Sequence, residues 1–259
     1  MILGFIGFGN MAQAMADGFL AANALPPQNI YACAKNWDKL CANSLARGIH
    51  ACHTAEEVVT NSDLIIIAVK PYLVQEVLAP VADKLSGKIL VSVAAGMTFA
   101  RYEEILQPGS HHISTIPNTP VSIGEGIIVC EQFHSLTDDE YAQFEKLFSH
   151  LGLVQPVETR LLSVAGTVAG CGPAFAAIFL EALGDAGVKH GLPRALAYRL
   201  ASQMLAGTGK LQQATGSHPG QMKDAVCSPG GTTIVGVSIL EQKGLRSAVI
   251  DAVDAIEAK

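Results

Sequence analysis

Two stretches of the chain set glycines just before a helical pattern, and each could hold an anion on backbone groups. In residues 223–233 (KDAVCSPGGTT), Gly230 and Gly231 lead into a helix expected over about residues 233–243, with Ile234, Val237, Ile239 and Leu240 at its apolar positions. Residues without a Cβ leave the N–H groups of a helix start open, at the positive end of its dipole. Ser228, Thr232 and Thr233 crowd hydroxyls around them, so neutral donors could hold a carboxylate there. A plain helix capped by Thr is the alternative; it accounts for one hydroxyl and leaves the Gly-Gly pair unexplained.

The other stretch, residues 1–19 (MILGFIGFGNMAQAMADGF), reads as strand, tight turn and helix. Gly7 and Gly9 let the chain reverse and let a pyrophosphate approach the backbone. Phe8, Asn10 and Met11 complete the turn, and Ala12 takes the third small position. A GxGxxA pattern is weak alone; directly after an uncharged strand and opening a helix over residues 11–20, it predicts a dinucleotide site.

The elements that would position these groups follow from hydrophobic pattern. Residues 29–33 (NIYAC), 63–69 (DLIIIAV) and 88–93 (KILVSV) read as strands, the later two as apolar runs of the kind buried on both faces of a parallel sheet. Residues 38–47 read as a helix, and residues 112–116, 126–130 and 153–157 as further short strands. Strands alternating with helices predict a doubly wound α/β sheet up to about residue 157. Beyond it the pattern turns helical throughout, which marks a boundary between a dinucleotide-binding domain, 1–157, and a helical domain, 158–259.

The tip of the second strand carries Ala34, Lys35 and Asn36 where a fold preferring NAD usually places Asp or Glu. No carboxylate there repels a 2′-phosphate and Lys35 attracts one, so NADP(H) is expected over NAD(H). The small residues Ala94, Ala95 and Gly96 after residues 88–93 leave room beside such a cofactor.

Composition narrows the function classes. The 259 residues are 49% hydrophobic and 15% charged, with formal charge −6 and no Lys/Arg run, which argues against a nucleic-acid partner. Six scattered cysteines form no CxxC, and adjacent His111 and His112 would point to opposite faces of a strand, so no metal site is expected. Mean hydropathy is +0.33. Residues 161–180 are uncharged and long enough to span a bilayer, yet they are rich in Gly and Ala and lack a flanking basic cluster. A helix buried at a domain or subunit interface is the expectation, not a membrane span. The N-terminus has no basic region ahead of its apolar run, and reduced thiols in a cytoplasmic protein are expected.

Taken together, the motifs resemble the pyrroline-5-carboxylate reductase family across essentially the whole chain. They stand as GFIGFGNMA (4–12), AVKP (68–71), SVAAG (92–96), PNTP (117–120), DAGVKHGLPR (185–194) and HPGQMKDAVCSPGGTT (218–233), the last being the most specific. Departures are small: GCGPAF with Cys171 and Phe175 replaces the family's GSGPAY, and Met204 stands where Thr is common. The resemblance implies a Rossmann-like domain, an all-α dimerisation domain, and NADPH-dependent hydride transfer to the C=N carbon of a cyclic imine, giving proline. It implies that Ser228 and the N–H groups of Gly230, Gly231 and Thr232 hold the substrate carboxylate, that the Thr233 hydroxyl faces the ring nitrogen, and that Ala68, Val69, Lys70, Pro71, Ala95 and Asn118 line the cofactor. It also implies an intertwined homodimer open to higher assembly. A β-hydroxyacid dehydrogenase would carry a Lys and an Asn on its interdomain helix, and residues 170–181 have neither. A non-catalytic NADP(H)-binding sensor is the alternative from another class.

Overall fold

The computed structural model describes all 259 residues. The first apolar run forms β1 (Leu3–Ile6), and the Gly-rich turn leads into α1 (Asn10–Ala21). There follow β2 (Ile30–Cys33), α2 (Trp37–Arg47), β3 (His50–Cys52), α3 (Ala55–Asn61), β4 (Leu64–Ile67), α4 (Val74–Leu78), β5 (Ile89–Ser92) and α5 (Phe99–Glu103). Next come β6 (His111–Pro117), β7 (Gly126–Glu131), α6 (Asp138–Phe148) and β8 (Gly152–Val157). The strands build one eight-stranded sheet in the order β3-β2-β1-β4-β5-β6-β7-β8. β1 to β6 are parallel, the order of a dinucleotide-binding sheet; β7 is antiparallel to β6, and β8 runs parallel to β7.

Alternation along the central strands explains why their sequences are apolar at nearly every position. Leu3 and Phe5, Leu64 and Ile66, and Ile89 and Val91 enter one core, with Phe19, Phe144 and Phe148. Ile6, Ile65, Ile67 and Leu90 enter the other, with Val58, Val74 and Tyr102. Successive side chains point to opposite faces, so a sheet covered on both sides needs an apolar residue at every position.

β3, α3 and α6 are elements that the sequence reading did not contain. The three residues of β3 carry no periodicity, and α3 is a seven-residue helix capped by Thr54, whose hydroxyl accepts the Glu57 N–H. α6 had a readable signal: Thr137 and Glu140 form a reciprocal capping box. His111 and His112 bond to separate elements, His111 Nδ1 with Glu140 Oε1 and His112 Nε2 with Glu103 Oε1, each at 2.7 Å.

Chain contacts divide the molecule into two compact units, Met1–Cys171 and Gly172–Lys259. The first ends with α7 (Leu162–Gly166) and a π-helical stretch, Thr167–Cys171, that continues into α8 (Gly172–Lys189). The second also holds α9 (Arg194–Thr215), α10 (Pro219–Ala225), α11 (Thr232–Gln242) and α12 (Leu245–Glu257). α8 and α9 approach closely at Gly184, where a Cβ would run into the Tyr198 ring, and Arg194 sits over that ring, paired with Asp185.

Thr159–Lys189 is one helix long and apolar enough to cross a membrane. Most of it is uncovered in the single chain: Val168 is 62% exposed and Ile178 67%. Leu200, Leu211, Val235 and Ile250 are exposed as well, so the apolar surface of the helical unit lacks cover from its own chain.

Candidate active site

The first site is built on the turn after β1. The Gly7 N–H donates to the Cys33 carbonyl at 2.9 Å, and Gln13 Nε2 donates to the Phe8 carbonyl at 3.2 Å. Gly7 has φ +95°, a left-handed conformation that side chains resist, and a Cβ there would lie 2.6 Å from the Ala68 carbonyl oxygen. Gly9 begins α1 with no side-chain cap and no acidic residue in the first turn, and a Cβ on it would meet nothing within 4 Å. The helix start is thus open, and its free N–H groups face that space. Phe8 is fixed by its T-shaped partner Phe5 at 5.6 Å and by the Arg47 guanidinium at 5.8 Å, itself held by Asp17 at 2.6 and 2.9 Å.

A cleft of about 1250 Å³ lies over this turn. It brings together Gly7, Phe8, Gly9, Asn10, Met11, Ala34, Lys35, Ala68, Val69, Lys70, Pro71 and Ala95. Two expected cofactor residues stand outside its lining. Asn36 caps α2 by accepting the Lys39 N–H at 3.0 Å. Asn118 is buried, its Oδ1 accepting the Ile127 N–H and its Nδ2 donating to the Ala169 carbonyl, both at 2.9 Å; its neighbour Thr119 lines the cleft instead. His53, Thr54, Ala55 and Glu56 also line the cleft and follow β3, so missing that short strand hid them.

The wall formed by Val93, Ala94 and Ala95 is anchored through Ser92. Its hydroxyl accepts the Ala94 N–H at 3.2 Å and the Tyr102 O–H at 2.6 Å, and its carbonyl accepts the Thr115 O–H at 2.7 Å. Burial pushes the Tyr102 phenol up to about 12, so it remains a donor at neutral pH. Burial likewise pushes the Cys33 thiol up to about 11, which keeps this cleft residue protonated and unsuited to nucleophilic chemistry. Lys35 is exposed and takes part in none of the chain's ion pairs, whereas the cleft's Glu56 pairs with Lys84.

The second site is the loop before α11, in the helical unit. Gly230 has φ +68°, and the Gly231 N–H donates to the Ser228 carbonyl at 3.0 Å, which closes the turn. Gly231 is the N-cap of α11, with no side-chain cap, and Thr232 and Thr233 are the first helical residues. The Thr-capped helix of the alternative reading is therefore not what forms, and both threonine hydroxyls lie exposed beside open backbone N–H groups. A Cβ on Gly231 would clash with the Ser228 hydroxyl, so the glycine is what lets that hydroxyl sit against the helix start. All the groups assembled here are neutral donors, suited to a carboxylate and without a general base.

Comparison with known proteins agrees with this geometry. Residues 159–259 match the family model described as pyrroline-5-carboxylate reductase dimerisation, and residues 2–96 match one described as NADP oxidoreductase coenzyme F420-dependent. The chain is 47% identical to the pyrroline-5-carboxylate reductase of Treponema pallidum over 98% of each chain. It is 37% identical to that of Escherichia coli over 96% of this chain and 93% of the relative. Among solved structures, a Plasmodium falciparum pyrroline carboxylate reductase with NADP bound superposes with TM-score 0.88 at 29% identity, covering 99% of this chain and 95% of that one. A pyrroline-5-carboxylate reductase from Coxiella burnetii gives 0.86 at 30% identity over 98% and 95%.

Proposed function

The chain belongs to the pyrroline-5-carboxylate reductase family, and on that premise we propose that it reduces 1-pyrroline-5-carboxylate to proline with NADPH, in the cytoplasm. The observation that carries the proposal is the neutral anion loop Ser228–Thr233, in one chain with a phosphate cleft that has no acidic residue at the β2 tip. The cleft fits NADP(H): the glycine turn leaves open the space a pyrophosphate needs, and Lys35 stands unpaired where a 2′-phosphate would lie. The division of labour is cofactor binding in residues 1–157 and substrate binding with dimerisation in residues 158–259.

When bound, the reduced cofactor supplies the hydride that the imine carbon accepts. The residues of the chain bind and orient. Ser228 and the backbone of Gly230, Gly231 and Thr232 hold the substrate carboxylate, and the Thr233 hydroxyl bonds the ring nitrogen as it gains amine character. Gly7 to Met11 hold the pyrophosphate, Ala34 and Lys35 the ribose end, and Ala68 to Pro71 and Ala95 the remainder of the cofactor, while Asn36 caps α2 and Asn118 is bonded to Ile127 and Ala169. An imine that arrives protonated needs no base, in agreement with a loop that offers none.

NADPH oxidation followed with pyrroline-5-carboxylate, beside NADP⁺ reduction with a 3-hydroxy acid, tests the reading. Turnover with the imine alone supports it; turnover with the hydroxy acid alone points to a dehydrogenase, and binding without turnover to a sensor. Removing the charge-assisted contact with Lys35→Ala should raise KM for NADPH roughly ten- to 150-fold and leave NADH nearly unchanged. Equal loss with both cofactors would count against a 2′-phosphate contact.

The dimerisation domain makes a homodimer the working form, and the uncovered apolar surface of α8, α9 and α11 is what a second copy would bury. Light scattering should give a mass of two chains or an even multiple. A compact, active monomer at micromolar concentration would contradict this.

A further inference from the structure

The carboxyl ends of β2 and β3 lie side by side, with Cys33 opposite Cys52, and the chain leaves them as Ala34-Lys35 and as His53. Lys35 and His53 are therefore neighbours at the same end of the cleft, and both line it. The His53 ring is held in place: it stacks on Trp37 with centroids 3.7 Å apart and planes 18° off parallel, and its main-chain N–H donates to Glu57 Oε2 at 2.9 Å. Trp37 is the first residue of α2, so the stack ties the exit of β3 to the helix that follows the β2 tip.

The acidic groups around this imidazole are engaged elsewhere. Glu57 holds the His53 backbone, and Glu56 pairs with Lys84. The buried Cys52 thiol is pushed up first by desolvation and then by Glu57, so it remains neutral. The stack occupies one face of the imidazole and leaves its edge free to donate an N–H beside an unpaired lysine.

We propose that His53, fixed on the Trp37 indole, is a second reader of the cofactor's 2′-phosphate beside Lys35, and so a determinant of NADPH over NADH. The proposal rests on the NADP(H) reading of the cleft. His53 belongs neither to the glycine turn nor to the β2 tip, where the sequence pattern places cofactor contacts. A donor preoriented by stacking loses little freedom when it bonds the phosphate, so Trp37 acts as a positioning residue.

The test compares KM for NADPH and NADH, and the affinity of 2′-AMP by calorimetry, in the wild type, His53→Ala and Trp37→Phe. His53→Ala should raise KM for NADPH and Kd for 2′-AMP together by roughly five- to 30-fold, with KM for NADH within about twofold of wild type. Trp37→Phe, which keeps a stacking ring, should retain most of the NADPH preference. The proposal is overturned if His53→Ala shifts both cofactors equally, which would mean that the ring packs on the shared adenosine, or if it shifts neither. A wild type that turns over no imine would sink the functional reading instead, and 2′-AMP binding would still decide the role of His53.

Discussion

Gly7→Ala is expected to raise KM for NADPH and for NADH alike, by roughly ten- to 100-fold, because the turn it distorts holds the pyrophosphate common to both. A side chain at φ +95° costs about 1–3 kcal/mol, and here its Cβ would also press on the Ala68 carbonyl at 2.6 Å. That carbonyl belongs to backbone at the end of β4, and Ala68 donates its N–H to Ile6 at 2.8 Å, so neither side of the contact can move alone. Part of the strain will appear as lower thermal stability. Gly9→Ala separates the two effects. Its φ is −82° and its Cβ would enter open space, so the fold should keep its melting temperature while cofactor affinity falls. Unchanged affinity in Gly9→Ala would mean that no ligand occupies the space above the start of α1.

Thr233→Ala should lower kcat/KM for the imine roughly five- to 150-fold and leave NADPH affinity intact, the loss of one hydrogen bond worth about 1–3 kcal/mol. The structure makes this a clean experiment. Gly231 is the N-cap of α11, so removing the Thr233 hydroxyl takes no cap from the helix and thermal stability should hold. Thr233→Ser retains a hydroxyl at the same helical position and should keep much of the activity. A folded Thr233→Ala variant with unchanged kcat/KM would remove this residue from the substrate's ring nitrogen.

The parts of the fold legible in the sequence are those buried on both faces or marked by glycine. Residues 63–69 and 88–93 read as strands because nearly every position after Asp63 and Lys88 is apolar, and β4 and β5 form within them. The helix expected over residues 11–20 forms as Asn10–Ala21, and that over 38–47 as Trp37–Arg47. β3 escaped because His50, Ala51 and Cys52 sit at the sheet edge with little burial to shape their pattern. The loss carried into the site, since His53 is visible as a cleft residue only once β3 is known to lie beside β2. Asn118 shows a different limit. Its residue type suits a ligand contact equally well as the bonds to Ile127 and Ala169 that the fold supplies, and only the surroundings separate the two. The π-helical stretch at Thr167–Cys171 left no readable mark, since its residues (TVAGC) suit any helix buried against a neighbour.

The central claim is hydride transfer to a cyclic imine carbon, and isotope transfer tests it most directly. NADPH deuterated at the transferred position, incubated with pyrroline-5-carboxylate and purified protein, should yield one proline per cofactor oxidised, with a single deuterium on the ring carbon next to nitrogen and away from the carboxylate. Cofactor oxidation without labelled proline, or no oxidation at saturating substrate, would contradict the account.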